Sequence, residues 1–297
     1  MKTVVPPDLD GQRLDRIVAV LGGVSRAAAR EIAGAETTRV DGRGAAASAR
    51  ISAGAAIEFE VPPEPPALIP ESVPFDVVYD DGHIAVVDKP AGVVVHPGAG
   101  RARGTLAAGI LARWPSVRGV GEVGRWGIVH RLDRDTSGLL AIALDLPSYD
   151  GLRAAIAARK VSRRYLALCH GAPSAPTGTI DAPIGRDPAR PTRMRVDPGG
   201  RPSRTHFRVT SSWEGFSLLE VSLDTGRTHQ IRVHLRSIGL PIAGDRTYGR
   251  PGGSPRVFLH AHRLEFAHPI GGAPVDARSE LPADLASALA DLGPALA

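Results

Sequence analysis

The chain has 297 residues, 43% of them hydrophobic, which is enough to bury a substantial core and to form two domains and excludes wholesale disorder. Its formal net charge is +5, and only Lys2, Lys89 and Lys160 among its 36 basic residues are lysines, so the positive charge is arginine and favours a phosphate-bearing partner. A single cysteine, Cys169, excludes a disulfide framework and a multi-cysteine zinc site, and no apolar run, Met1 to Pro7 included, reaches signal-peptide or membrane-spanning length; a cytoplasmic protein with no membrane partner is expected.

Residues 11–22 set Leu14, Ile17, Val18 and Leu21 on one helical stripe ending at Gly22-Gly23. A second helix is predicted from Ser25 as N-cap through Ile32, with Arg26 and Arg30 one turn apart on a single face. Thr38-Arg39-Val40 then leads into the hairpin dipeptide Asp41-Gly42, and Ile57, Phe59 and Val61 alternate as in a half-buried strand. The prolines of residues 62–66 are stiff and poor core material. Residues 62–72 therefore read as a linker between a small module, 1–61, and a larger one, 73–297.

In the larger module two apolar runs, Val77 to Tyr79 and Ile84 to Asp88, flank a turn, and Thr105 can cap a helix holding Leu106, Ile110 and Leu111. Gly127-Ile128-Val129 reads as the end of a strand and Leu139 to Leu144 as another. A third helix is predicted from Ser148, burying Tyr149, Leu152 and Ile156, before a strand at Tyr165 to Cys169. Leu219, Val221 and Leu223 point inward from a strand over 216–224. Thr228 can cap the helix that follows, in which Ile231, Leu235 and Ile238 face the core, Gly239 ends the helix, and His229, Arg232 and Arg236 share the opposite face. Single helices between strands, without regular alternation, predict an α+β fold.

Gly119-Val120-Gly121-Glu122-Val123-Gly124 matches the dinucleotide glycine pattern, yet it follows Trp114-Pro115-Ser116 and precedes a strand instead of opening a helix, so no nucleotide cofactor is expected. The pairs His260 and His262, and His229 and His234, lack the spacing of a helical zinc pair, and no metal is expected. There is no Gly-x-Ser-x-Gly elbow either, which leaves Ser137 as a turn residue. What remains is His130-Arg131-Leu132-Asp133-Arg134-Asp135-Thr136-Ser137-Gly138, a polar cluster on a loop between strands. It reads either as a hydrogen-bonded turn or as a carboxylate-centred site, with Asp133 or Asp135 as nucleophile or base and an arginine from another segment as partner. The loop Arg186 to Arg195, basic and broken by prolines, either lies against phosphates or is a solvated surface.

Residues 130–138 closely resemble the signature of the pseudouridine synthases that modify ribosomal RNA, in the A/D-type branch and most like the D type. Four further segments resemble the family's other motifs in order: 83–99, with Asp88-Lys89-Pro90-Ala91-Gly92 and His96-Pro97-Gly98; Arg164-Tyr165-Leu166-Ala167; Thr225 to His234; and Gly244-Asp245 with Tyr248-Gly249. Residues 1–61 resemble the small RNA-binding domain of a small-subunit ribosomal protein, with Glu36 and Thr38 where that domain usually carries glycine and valine.

The resemblance implies a mixed, largely antiparallel sheet in the larger module and isomerisation of uridine to pseudouridine without cofactor or metal. The implied partner is large-subunit ribosomal RNA, naked or in pre-ribosomal particles. A synthase acting on transfer RNA, or a ribosome assembly factor that binds RNA and merely retains the fold, is the alternative. By position, Asp133 is the implied essential carboxylate, Tyr165 the aromatic that packs on the target base and a candidate base, and Arg232 the ion-pair partner of Asp133, with Arg227 the second choice. Arg131 resembles the arginine that fills the space left by a flipped-out base, and Arg227, His229, Arg26 and Arg30 are further candidate RNA contacts.

Overall fold

The described residues form two units, Met1–Ala67 and Leu68–Ala297, each organised on its own main hydrophobic core. The computed structural model describes residues 1–24, 26–61, 68–98, 103–122, 124–250 and 252–296.

In the first unit Leu14, Ile17 and Val18 are fully buried along α1 (Leu14–Gly22), which Gly23 closes at φ 62°, its N–H donating to the Ala19 carbonyl. α2 (Arg26–Ala33) contributes Ala29, Ile32 and Ala33 to the same core; Ser25, its expected cap, lies outside the described residues. Five short strands follow the chain as β1 (Lys2–Val4), β2 (Gln12–Arg13), β3 (Arg39–Val40), β4 (Arg50–Ile51) and β5 (Ala56–Glu58). β5 lies between β1 and β3, and β2 pairs with β4, all antiparallel. Asp41 (φ 48°) and Gly42 (φ 77°) make the tight turn, bridging Val40 to Arg43. Ile57 and Phe59 point inward, but Val61, at the end of the expected alternation, is exposed.

The second unit is built on a sheet whose strands, in chain order, are β6 (Asp76–Asp80), β7 (Ile84–Lys89), β8 (Ser137–Ala143), β9 (Ser162–His170) and β10 (Thr177–Asp181), then, past a separate hairpin of β11 (Ile184–Arg186) and β12 (Met194–Val196), β13 (Arg204–Trp213), β14 (Phe216–Leu223), β15 (Leu259–Ala267) and β16 (Pro274–Arg278). Their spatial order is β10-β13-β14-β9-β15-β8-β7-β6, with β16 added on β15. Among the described strands only β8 and β15 run parallel, so the sheet is mixed and largely antiparallel. β8 is buried along its whole length and fills the centre of the core with Leu139, Leu140 and Ile142.

Several local expectations give way to tertiary contacts. Residues 68–72 belong to the second unit, because Leu68 is buried in its core and Glu71 accepts from Arg103 Nε (3.0 Å) and Gly104 N (2.7 Å). Gly127 to Val129 is not a strand end: Ile128 makes a single bridge to Ile142, and Gly127 is held by Val120 O and Ala143 N (both 2.8 Å). Ser137 opens β8 and is no turn residue; its hydroxyl sits between His260 Nδ1 (3.0 Å) and Arg256 Nη2 (3.2 Å). α4 (Leu146–Ala157) follows α3 (Leu106–Arg113) and begins before Ser148, because Asp145 Oδ1 accepts from Ser148 N (2.8 Å) and acts as the cap, and Ile156 is only half-buried.

Thr228 is likewise no cap. α5 (Gln230–Ser237) is entered through His229 in the left-handed region (φ 56°), and Gln230 Oε1 braces the approach by accepting from Thr225 Oγ1 (2.8 Å) and Arg227 N (3.0 Å). Ile238, beyond its end, is 44% exposed. α6 (Ala283–Ala290) completes the unit.

Gly138 explains why the signature ends in glycine. Its φ is 110°, and a Cβ there would lie 2.3 Å from the Ala261 carbonyl oxygen across the β8–β15 pairing. Gly138→Ala is therefore expected to lower the unfolding free energy by about 2–4 kcal/mol, read as a lower urea midpoint at unchanged slope.

Candidate active site

The signature loop ahead of β8 is fixed from below. The Ala141 N–H donates to His130 Nε2 (2.9 Å), Gly92 N–H donates to the Arg134 carbonyl (2.8 Å), and the buried Lys89 ammonium donates to the carbonyls of Pro90 (2.8 Å), Val93 (2.9 Å) and Arg134 (3.1 Å). Burial pulls Lys89 down to about 7, against the opposing fields of Asp133 and Asp135. With both flanks tied, Asp133 turns inward while its neighbour Asp135 turns to Arg134, which grips it through Nε (2.9 Å) and Nη2 (3.0 Å).

Asp133 meets Arg232 of α5, whose Nη1 donates to Asp133 Oδ2 at 3.1 Å. The same guanidinium is held on its other edge by Asp245, through Nε to Oδ2 (2.7 Å) and Nη2 to Oδ1 (2.9 Å). The Asp245 side chain is fully buried and also accepts from the backbone N–H groups of Thr247 (2.9 Å) and Tyr248 (3.0 Å). Burial opposes the charge on Arg232, but Asp245 and then Asp133 outweigh it and hold its pKa above the ordinary value; burial likewise opposes the Asp245 carboxylate, and Arg232 more than compensates.

β9 brings the third group. Its two-residue period puts Arg163 and Tyr165 on one face, and both are buried. Burial raises the Tyr165 phenol above its usual range, so at neutral pH it presents a ring rather than a phenolate. The Arg163 Nη2 donates to the Leu223 carbonyl (3.4 Å), whereas its buried Nε has no partner among the described residues.

These groups line a cleft of about 510 Å³ together with Arg131, Arg227 and His229. All six candidates from the second unit thus share one cavity, and it is Arg232, not Arg227, that pairs with Asp133. Arg227 instead donates from Nε to the Pro202 carbonyl (3.4 Å). Arg30 is exposed on α2 of the first unit, and the side chain of Arg26 lies outside the described residues.

The cleft also holds residues to which the sequence assigned no role. Arg163 is one; it lies two residues before Tyr165, and strand periodicity alone would have found it. His96 and His130 are two more, pushed down by burial to about 4 and about 3. His229 is also lowered by burial, and its Nδ1 shares a hydrogen bond with the Tyr248 hydroxyl (2.8 Å), whose oxygen also accepts from Met194 N (2.7 Å). Neutral imidazoles, arginines and the ion-paired carboxylates of Asp133 and Asp224 around a buried aromatic ring suit a planar heterocycle carrying phosphates.

Residues 83–237 match the RNA pseudouridylate synthase family. The chain belongs to that family. It is 48% identical to an uncharacterised RNA pseudouridine synthase of Chloroflexus aurantiacus, over 97% of this chain and 92% of that one. It is 40% identical to the ribosomal large subunit pseudouridine synthase D of Nitrosomonas europaea, over 97% of this chain and 87% of that one. The solved structure of human RNA pseudouridylate synthase domain containing 1 superposes with a TM-score of 0.57 at 29% identity, covering 71% of this chain and 85% of that one. The sheet described above is the pseudouridine synthase fold, and the enzyme class is an isomerase that converts uridine in RNA to pseudouridine.

Two consequences for this synthase can be measured. Asp245→Ala strands a buried guanidinium and is expected to cost about 3–5 kcal/mol of stability, with Asp133→Asn, at the more exposed end of the pair, costing less than about 2 kcal/mol; urea unfolding reads both. Acid should also weaken the fold. His96 and His130 stay neutral in the folded chain where the unfolded chain protonates near pH 6.5, so stability falls as pH drops below that value and continues falling towards the folded values of about 4 and 3. Between pH 7.5 and 5.5 the two together are expected to remove about 2–3 kcal/mol, read by urea unfolding at the two pH values.

Proposed function

We propose that this synthase modifies specific uridines of large-subunit ribosomal RNA, naked or in pre-ribosomal particles, in the cytoplasm, with Asp133 as its essential carboxylate. One observation carries the assignment of Asp133. Its Oδ2 is taken by Arg232, while Oδ1 has no hydrogen-bond partner among the described residues and belongs to a side chain lining the cleft. Asp135, locked to Arg134, has no such free oxygen.

The isomerisation breaks the bond between ribose C1′ and uracil N1, turns the base, joins C1′ to C5, and moves the C5 proton to N1 through solvent. Asp133 Oδ1 supplies the nucleophile that attacks an electron-poor carbon of the nucleoside and departs when the new bond closes, so the carboxylate is regenerated. Tyr165 packs its ring on the uracil and holds it through the turn. The target base must leave its stack to reach Asp133, and Arg131, exposed at the cleft and without an ion pair among the described residues, suits the vacated space. Arg227 and His229 line the same cleft and are placed for phosphate and base contacts, and the first unit, through Arg26 and Arg30, serves RNA docking. The D-type name of the Nitrosomonas europaea relative supports the choice of large-subunit RNA.

Wild type and Asp133→Asn are to be incubated with unmodified large-subunit RNA, transfer RNA and assembled large subunits, each tritiated at uracil C5, and the release of tritium and the modified positions recorded. Wild type is expected to release tritium from large-subunit RNA, and Asp133→Asn to be slower by at least about a thousandfold while binding RNA within about threefold. Release from transfer RNA alone would overturn the substrate, silence on all three would support an assembly factor, and an active Asp133→Asn would remove Asp133 from the chemistry.

A further inference from the structure

A second cavity, of about 290 Å³, opens between the β11–β12 hairpin and the outer face of α5. Four arginines line it, Arg190, Arg193, Arg195 and Arg236, against a single acid, Asp187. Arg195 is engaged by Asp197 (3.2 Å), and the Asp187 carboxylate accepts from Ala189 N within its own loop (3.0 Å). The side chains of Arg190, Arg193 and Arg236 have no hydrogen bond or ion pair among the described residues, although many other arginines of this chain are matched to a carboxylate.

These free charges are mounted on a braced support. Arg186 Nη1 donates to the Pro191 carbonyl (2.6 Å), Asp187 N to Arg193 O (2.9 Å), Arg190 N to Asp187 O (3.2 Å) and Arg193 N to Arg190 O (2.7 Å), so the proline-containing loop carries its own internal hydrogen bonds. Below it Met194 packs on a small apolar cluster of Ile184, Val233 and Tyr248. Holding three like charges together without a partner is unfavourable, and a rigid loop that does so is arranged for an anion. The support is also continuous with the active site. Tyr248 accepts from Met194 N (2.7 Å) and bonds His229 (2.8 Å), its ring lies 5.0 Å from the Arg232 guanidinium, and Arg236 follows Arg232 by one turn of α5, a rise of about 6 Å.

We propose that this cavity is a second phosphate-binding site, outside the uridine cleft, in which Arg190, Arg193 and Arg236 grip the sugar–phosphate backbone of the RNA substrate beside the target nucleotide. It rests on the reading of RNA as the substrate. Such a grip fixes the register of the strand without reading bases, and it acts on binding rather than on the chemical step.

The test compares three proteins: wild type, the triple variant Arg190→Ala/Arg193→Ala/Arg236→Ala, and a control that loses the same net charge from carboxylate-paired positions, Arg153→Ala/Arg208→Ala/Arg278→Ala. RNA affinity is measured by filter retention across a salt series, and KM and kcat by tritium release; thermal melts check folding, and Arg236→Glu alone provides a second variant. The site variant is expected to raise Kd and KM at least about tenfold, mostly sparing kcat, and to flatten the slope of log K against log salt by about 2–3, with the control close to wild type. Unchanged affinity and slope, or equal losses in the control, would overturn the proposal. If tripolyphosphate binding, measured by calorimetry on the same three proteins, is lost in the site variant while RNA binding stays intact, the proposal is overturned too, because the cavity then belongs to a free polyphosphate. Should wild type modify no RNA, the activity assignment falls while the filter assay still reads this site.

Discussion

The catalytic unit depends on one guanidinium shared between two carboxylates. A buried arginine is costly unless its donors are satisfied, and Arg232 resolves this by giving one edge, bidentate, to the fully buried Asp245 and one remaining donor to Asp133. The arrangement is asymmetric. Asp245 is saturated by backbone N–H groups and the guanidinium, so it serves as the anchor, while Asp133, which lines the cleft, has no hydrogen-bond partner on Oδ1 among the described residues. The loop before β8, 99 positions from Arg232 in sequence, is drawn by this guanidinium to α5 and the turn at 244–249. Tyr248 extends it to the β11–β12 hairpin, so the hairpin and Asp133 share one support.

The remaining polar groups under the cleft follow the same logic with weaker charges. Lys89 is surrounded by carbonyls and binds the backbone of Arg134, which orients the loop without competing for the Asp133 carboxylate. His130 is neutral and receives a backbone N–H from β8, so it fastens the other end of the loop. A histidine kept neutral by burial costs far less than a second buried cation beside Arg163, and this accounts for the imidazoles crowding a cavity otherwise rich in arginine.

Much of this was legible in the sequence, and unevenly so. The helical stripe of Leu14, Ile17 and Val18 and the alternation around Ile57 report burial directly, because one face of each element meets one core. The signature and the ordered motifs pointed to Asp133, Tyr165 and Arg232, which the fold brings into one cleft. What the sequence hid were choices made by tertiary contacts. The sequence left open whether Asp133 or Asp135 turns inward; Arg232, 99 positions away, meets Asp133, while Asp135 stays with its neighbour Arg134. Asp245 read as a motif residue without a role, since its partner lies 13 positions away on another element. The misplaced helix start at Ser148 and the failed cap at Thr228 have the same origin. Asp145 offered a better acceptor one turn earlier, and Gln230, reaching back from within α5, made a threonine cap unnecessary.

The most direct test of the account is the rate of tritium release by Arg232→Lys under single turnover. Lysine keeps the positive charge but cannot place one donor pair on Asp245 and another donor on Asp133. If the fork geometry fixes the reactive carboxylate, the variant should stay folded and bind RNA within about threefold of wild type while the rate falls by at least about a hundredfold. A rate within a few-fold of wild type would mean that charge alone suffices, and the shared guanidinium would lose its central place.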